Sequence, residues 1–377
     1  MKIVLAPDSY KGSLSADKVC KAMERGIRCV LPNAEIVHLP MADGGEGTVD
    51  ILVAATRGEL KAVTVTGPLG QPLKASFGLA GDRKTAIIEM AAASGLPLVP
   101  LEMRNPLDTT TYGTGELIRN ALNLGVKEII IGIGGSATTD CGTGMAQALG
   151  IRFYDRHGLI KSPLTGRLMG TVKQIDTGTI DRRIQEIKIT VACDVRNPLL
   201  GQEGAVAVYG PQKGAQLGDL PILESNMRHV IEIIESATGV FVRDLPGSGA
   251  AGGLGAGLVA FLNAELKPGI DLVLEVYGFQ KRIQGADFIV TGEGRVDSQS
   301  GFGKVLKGVS NEAQKQGIPL LLVAGSVDME EDALRNLGIA AFESLCSVDV
   351  PVEKAMKHTE ELIVQKTKKL LEKLHLI

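Results

Sequence analysis

A chain of 377 residues is longer than one ordinary domain and points to two. Hydrophobic residues make up 44%, enough for large cores, and 40 Lys+Arg against 43 Asp+Glu leave a net charge of -3, which offers no positive field to a nucleic-acid backbone. Aromatic residues at 3%, with no Trp, argue against base-stacking platforms.

The opening MKIVLAPDSYKGS holds one short apolar run, too brief for a signal peptide or a membrane span. Residues 2–6 read as a buried strand, and 15–31 as a helix with Val19, Ala22, Met23, Ile27 and Val30 at helical spacing and Ser15 placed to cap it. Residues 35–39 form a second buried strand. The stretches 60–66, 73–79 and 85–90 alternate with short turns and read as a meander. Further buried strands are expected at 128–133, 187–192, 287–291, 320–324 and 340–345, with helical patterns between most of them. Residues 251–266 read as a Gly/Ala-rich helix, and 352–374 as an amphipathic helix whose lysines form a solvated face. This rhythm predicts an α/β fold: a doubly wound, mostly parallel sheet domain, flavodoxin- or Rossmann-like, with a smaller α/β domain inserted in it. The larger domain is assigned 1–60, 106–240 and 282–377, and the insert 61–105 and 241–281. Five scattered cysteines without a CxxC pair fit a reducing cytoplasm.

Ligands of open parallel sheets bind beyond the carboxyl ends of the strands. Five strand-end loops each carry a carboxylate: Asp8, Asp43 with Glu46, Asp140, Asp194, and Glu293 with Asp297. A single such Asp is usually a turn or cap residue. Five at one sheet edge would repel unless a divalent cation neutralised them. Lys11, Lys213, Arg295 and Lys304 lie in segments that can reach the same edge. Carboxylates for Mg2+, cations and Gly-rich anion loops are the parts of phosphoryl transfer. The best phosphate cradle is Gly134, Gly135, Ser136, Thr138, Thr139 and Asp140, ahead of a helical segment. A second anion candidate is the Thr111–Gly115 stretch before an expected helix at 116–124.

P-loop, protein-kinase, GxSxG–His and HExxH patterns are missing. The five histidines read as ordinary structural or surface residues. Gly247–Gly252 matches GxGxxG, but Pro246 stands where a strand should run into it, so a hinge, or a backbone surface that approaches substrate, is the better reading than a dinucleotide site.

Seven segments carry a family resemblance: PDSYKGSLSA (7–16), ADGGEGT (42–48), GIGGSATTDCGTGM (132–145), ACDVRNPLLG (192–201), GPQKGA (210–215), GSGAAGGLGAG (247–257) and TGEGRVDSQSGFGK (291–304). Together they resemble the type I glycerate kinases over nearly the whole chain. Tyr10, Thr139 and Cys141 stand where Phe, Asn and Gly are common in that family, and none of these changes removes a charged group. The resemblance implies a cytoplasmic enzyme that uses ATP and Mg2+ to phosphorylate D-glycerate. The acceptor is usually the 2-hydroxyl, in breakdown of sugar acids or glyoxylate-derived carbon. It implies neither nucleic-acid nor membrane partners, and the oligomeric state stays open. The residues themselves leave open a 3-kinase, and more distantly an NAD-dependent hydroxy-acid dehydrogenase or a non-catalytic sugar-acid binding protein.

Within that reading, Asp194, then Asp43, is expected to orient or deprotonate the acceptor hydroxyl. Lys11 or Arg295 would hold the glycerate carboxylate, with Asp8 nearby and the N–H groups of Gly252 and Gly253 as further donors. Residues 134–140 would hold the triphosphate. Lys213 or Lys304 would neutralise charge on the transferred group. Asp8, Glu46, Glu293 and Asp297 are the candidates for Mg2+.

Overall fold

A computed structural model of the chain describes residues 1–45, 47–297 and 303–374. They form two compact units. One comprises Met1–Asp43 with Ile270–Ile377, and Gly44–Gly269 is inserted into it.

The discontinuous unit begins with β1 (Lys2–Leu5), the helix Ala16–Arg28 and β2 (Glu35–His38). The helix buries Val19, Cys20, Ala22, Met23 and Ile27, as its spacing requires, although Ser15 makes no side-chain cap.

The inserted unit carries the helix Thr48–Thr56, then β3 (Glu59–Thr66), β4 (Pro72–Leu79) and β5 (Thr85–Glu89). Next come the helix Tyr112–Asn123, β6 (Glu128–Gly132) and the short helix Thr143–Ala148. A small antiparallel sheet, β7 (Arg152–Asp155), β8 (Gly158–Leu159) and β9 (Gln174–Asp176), precedes β10 (Lys188–Ala192). The helices Asp219–Thr238 and Ala250–Leu262 lead to β11 (Glu265–Lys267).

The chain then returns to the first unit with β12 (Phe288–Thr291), β13 (Arg295–Asp297), the helix Lys304–Lys315, β14 (Leu320–Ala324), β15 (Ser326–Asp328) and β16 (Ile339–Ser344).

Five parallel strands of the first unit lie in the order β16-β14-β12-β1-β2. Counted along this unit alone, that is 2-1-3-4-5, the flavodoxin-like doubly wound order, with its reversal between β1 and β12. The inserted unit has the order β11-β10-β6-β5-β4-β3. It is parallel from β11 to β5 and antiparallel beyond.

The mixed α/β architecture with mostly parallel sheets is as expected, but the partition is not. The strands at 59–89 hydrogen-bond onto β6 and share one sheet with β10, so 106–240 does not belong with the first sheet. The inserted unit is also the longer one. Buried parallel strands read alike in sequence, whichever sheet they join, and that is why the boundaries were misplaced. The five carboxylate loops therefore do not share one sheet edge. Those of Asp8, Asp43 and Glu293 follow strands of the first unit, and those of Asp140 and Asp194 follow strands of the second.

Two helical expectations also change. Residues 251–266 divide into a helix that ends at Leu262 and a strand that takes up Glu265 and Leu266. The C-terminal helix is broken at His358 into Val352–Lys357 and Thr359–Lys373. Its Lys366, Lys369 and Lys373 do not merely face solvent: all three ion-pair with the buried Glu343 of β16.

Candidate active site

The first unit places its chemistry at the strand-order reversal. Asp8 follows β1 and Glu293 follows β12. The Thr291 hydroxyl donates to the Ala6 carbonyl at 2.8 Å, which ties the two strand ends together. Gly292 is required here, because a Cβ would lie 2.1 Å from the Val323 carbonyl oxygen. Tyr10 is buried and donates to that same carbonyl at 2.6 Å, so the change from Phe is accommodated by a hydrogen bond.

Glu293 is only 7% exposed. Its Oε2 accepts from the Gly303 N–H at 3.1 Å, while Oε1 finds no hydrogen-bond partner among the described residues. Burial, and then the neighbouring Asp8 charge, push its carboxyl up to about 7, against the Gly303 N–H and Lys11. Burial also pushes Asp8 up to about 6. The Ser9 N–H opposes the shift, Asp43 adds to it, and Lys11 opposes it. Lys11 Nζ stands 3.8 Å from Asp43 Oδ2. Asp8, Lys11, Asp43, Glu293, Arg295 and Lys304 all line one cavity of about 780 Å3. Arg295 is paired with Asp297 at 3.1 Å and Asp328 at 3.0 Å. Asp297 is thus engaged by a guanidinium, and Glu46 lies outside the described residues.

The second unit gathers a different set. Asp194, beyond β10, accepts from the Gly269 N–H at 2.8 Å. Glu89, at the end of β5, accepts from the Val49 N–H at 3.0 Å. Sequence reasoning missed Glu89, because the meander strands were set apart from the sheet; a carboxylate at the last position of a buried apolar run was the available signal.

Residues 134–140 do not present one continuous cradle. Gly134 and Gly135 are exposed, while Ser136, Thr138, Thr139 and Asp140 are buried. Asp140 is held by four donors: the Thr111 N–H (2.8 Å), the Thr111 hydroxyl (2.7 Å), and the N–H groups of Gly142 (3.1 Å) and Gly144 (3.3 Å). Burial raises its pKa, and these donors oppose the rise. Lys213 is buried and donates to the Thr138 carbonyl at 2.6 Å; burial lowers it to about 7. The Thr111–Gly115 stretch falls largely within the helix Tyr112–Asn123, so it offers no free N-terminal loop.

The GxGxxG match does not follow a strand. Ala251, Gly252 and Gly253 are left-handed. A Cβ at Gly252 would lie 2.0 Å from the Thr138 carbonyl oxygen, and one at Gly253 3.0 Å from Cys141 Cα. These glycines let two backbone segments touch, which explains the motif without a dinucleotide.

The Glycerate kinase family model matches residues 3–375. The chain belongs to the glycerate kinase family. It is 51% identical to a glycerate kinase of Bacillus subtilis (strain 168), over 96% of this chain and 94% of that one. It is 51% identical to glycerate 2-kinase of Escherichia coli (strain K12), over 92% and 91%. A crystal structure described as a glycerate kinase 2 from Salmonella typhimurium LT2 superposes with a TM-score of 0.90 at 46% identity, covering 100% of this chain and 98% of that one. Among the described residues, no helix of this glycerate kinase family member is long and apolar enough to cross a membrane.

Proposed function

We propose that this chain transfers the γ-phosphoryl group of ATP to the 2-hydroxyl of D-glycerate, giving 2-phosphoglycerate and ADP. The observation that carries the reading is a pair of carboxylates, the half-buried Asp8 and the buried Glu293, lining one cavity at the strand-order reversal of a glycerate kinase family member. The Escherichia coli relative, named a glycerate 2-kinase, favours the 2-hydroxyl over the 3-hydroxyl.

The donor set suits Mg2+. Its oxygens are hard ligands, and Glu293 Oε1 is buried with no hydrogen-bond partner among the described residues. No group of three or more metal-binding side chains occurs among the described residues. Mg2+ does not require one, since water and substrate phosphates complete its shell. Asp8 and Glu293 would hold the ion, which when bound neutralises charge on the phosphate oxygens.

Asp194 is the group assigned to orient the acceptor hydroxyl and receive its proton. Its bond to the Gly269 N–H fixes one carboxylate oxygen and supports that assignment. Lys11 is assigned to the glycerate carboxylate, with Arg295 as the alternative cation. Thr138, Thr139, Asp140, Lys213, Gly252 and Gly253 are assigned to shaping the 134–140 loop rather than to touching phosphate. A cytoplasmic location fits the five free cysteines.

The test is to incubate the protein with D-glycerate, ATP and Mg2+ and then add enolase without phosphoglycerate mutase. Prompt phosphoenolpyruvate supports the proposal. Phosphoenolpyruvate only after mutase is added moves the phosphate to the 3-position. No glycerate-dependent ADP would refute the kinase reading.

A further inference from the structure

The cavity at the strand-order reversal is lined by both charged and apolar side chains. Lys11, Lys304, Asp8 and Glu293 form the charged part, and Leu345, Val352 and Met356 belong to the apolar part. Val352 and Met356 are 57% and 47% exposed, on the first and fifth residues of the helix Val352–Lys357. Ser13 fixes that helix beside the Asp8 loop by donating to the Met356 carbonyl at 3.0 Å. Glycerate, a three-carbon acid with a charged or hydroxyl group on every carbon, has no use for an apolar wall. It would also leave most of 780 Å3 empty. A purine nucleotide has one flat apolar end and one polyanionic end, and it matches both kinds of lining.

We infer that this cavity is the nucleotide site, with the adenine against Leu345, Val352 and Met356 and the phosphates turned towards Lys304. Several features converge on this placement. It uses the end of the sheet where ligands of doubly wound folds bind. The helix Lys304–Lys315 opens at a charged lining residue, where its N-terminus favours phosphate. Independently, Glu293 lines the cavity with a buried carboxylate oxygen that has no hydrogen-bond partner among the described residues, and it would suit the cation that accompanies a triphosphate. Methionine is suited to such a wall, because its flexible, polarisable thioether adapts to an aromatic face. The assignment moves ATP away from the 134–140 loop, where only Gly134 and Gly135 are exposed. It rests on the reading that the chain uses ATP.

The experiment is photolabelling of the full chain with 8-azido-ATP and Mg2+, followed by tryptic peptide mapping. Label is expected on the peptide Asn336–Lys354, which carries Leu345 and Val352. In parallel, binding of a fluorescent ADP analogue with Mg2+ is measured for Val352→Glu and Met356→Glu. Both positions are partly exposed, so both variants should fold, and circular dichroism checks that they do. Each should weaken binding about tenfold or more by burying a carboxylate against the base. Label on the peptide Glu128–Arg152, with unchanged affinity in both variants, would overturn the assignment and leave the kinase reading intact. Absence of label together with absence of glycerate-dependent ADP would overturn both.

Discussion

Removing the Asp140 side chain separates the two roles that this residue can have. As a phosphate-loop residue it would act on ligands; as the hub of its own turn it acts on folding. Asp140→Ala leaves the N–H groups of Thr111, Gly142 and Gly144 without their acceptor in a fully buried setting. A buried donor left unsatisfied costs about 1–3 kcal/mol, so three of them set an expected loss of about 3 kcal/mol or more. Asp140→Asn is milder. Its carbonyl oxygen can face Thr111 and Gly144, and its amide then faces only the Gly142 N–H, for a cost of about 1–3 kcal/mol. The assay is guanidinium denaturation, comparing midpoints and slopes with the wild type, alongside nucleotide and glycerate affinity for the folded fraction. The graded order wild type, Asn, Ala in the midpoints, with folded-state affinities little changed, is expected. Wild-type midpoints for Asp140→Ala combined with lost nucleotide affinity would refute the structural role.

Asp194→Asn keeps an oxygen for the Gly269 N–H but loses the base, so kcat should fall about 10²-fold with the fold intact; near-normal turnover would remove Asp194 from the proton transfer. Arg295→Ala should chiefly raise the KM for glycerate if the guanidinium holds the carboxylate, and an unchanged KM leaves Lys11 in that role. Gly252→Ala would drive a Cβ to 2.0 Å from the Thr138 carbonyl oxygen at a positive φ of 68°, so thermal unfolding should shift down by several degrees or soluble protein should be lost. For Glu343, burial alone would raise the carboxyl, but the Lys373 hydrogen bond and the charges of Lys373, Lys369 and Lys366 outweigh it and hold the pKa below 4.5. A carboxyl depressed on folding stabilises above its unfolded pKa, and that contribution is lost as pH falls through the folded one. Wild-type denaturation midpoints should therefore drop below about pH 4.5, and Glu343→Gln should flatten that drop, measured as midpoint against pH.

Much of the fold was legible in the sequence because apolar runs and helical spacing are local signals. The runs ending at Ala6, Leu39 and Thr291 led directly to Asp8, Asp43 and Glu293, which do line one cavity. Which sheet a buried parallel strand joins is a long-range property, and no periodicity encodes it. The burial of Asp140 and Lys213 has a related cause. Asp and Lys in a Gly-rich segment read as exposed ligand groups, yet burial here depends on the Thr111 and Thr138 backbone arriving from elsewhere to satisfy them. Glu89 shows the converse: its carboxylate was passed over because its neighbours looked like a free-standing meander.

The insertion of Gly44–Gly269 has a consequence for the order of assembly. β1 must pair with β12, which the ribosome delivers more than two hundred residues later (Ile3 lies opposite Phe288). Closing so long a flexible loop is slow and entropically costly. The ends of the inserted unit, however, meet: a Cβ on Gly44 would lie 3.1 Å from Gly269 Cα. Once the insert has folded, it behaves as a short staple between β2 and the rest of the chain. The sequence thus sets a schedule in which the later-starting unit matures first during synthesis, and the sheet that frames the Asp8–Glu293 cavity is completed last.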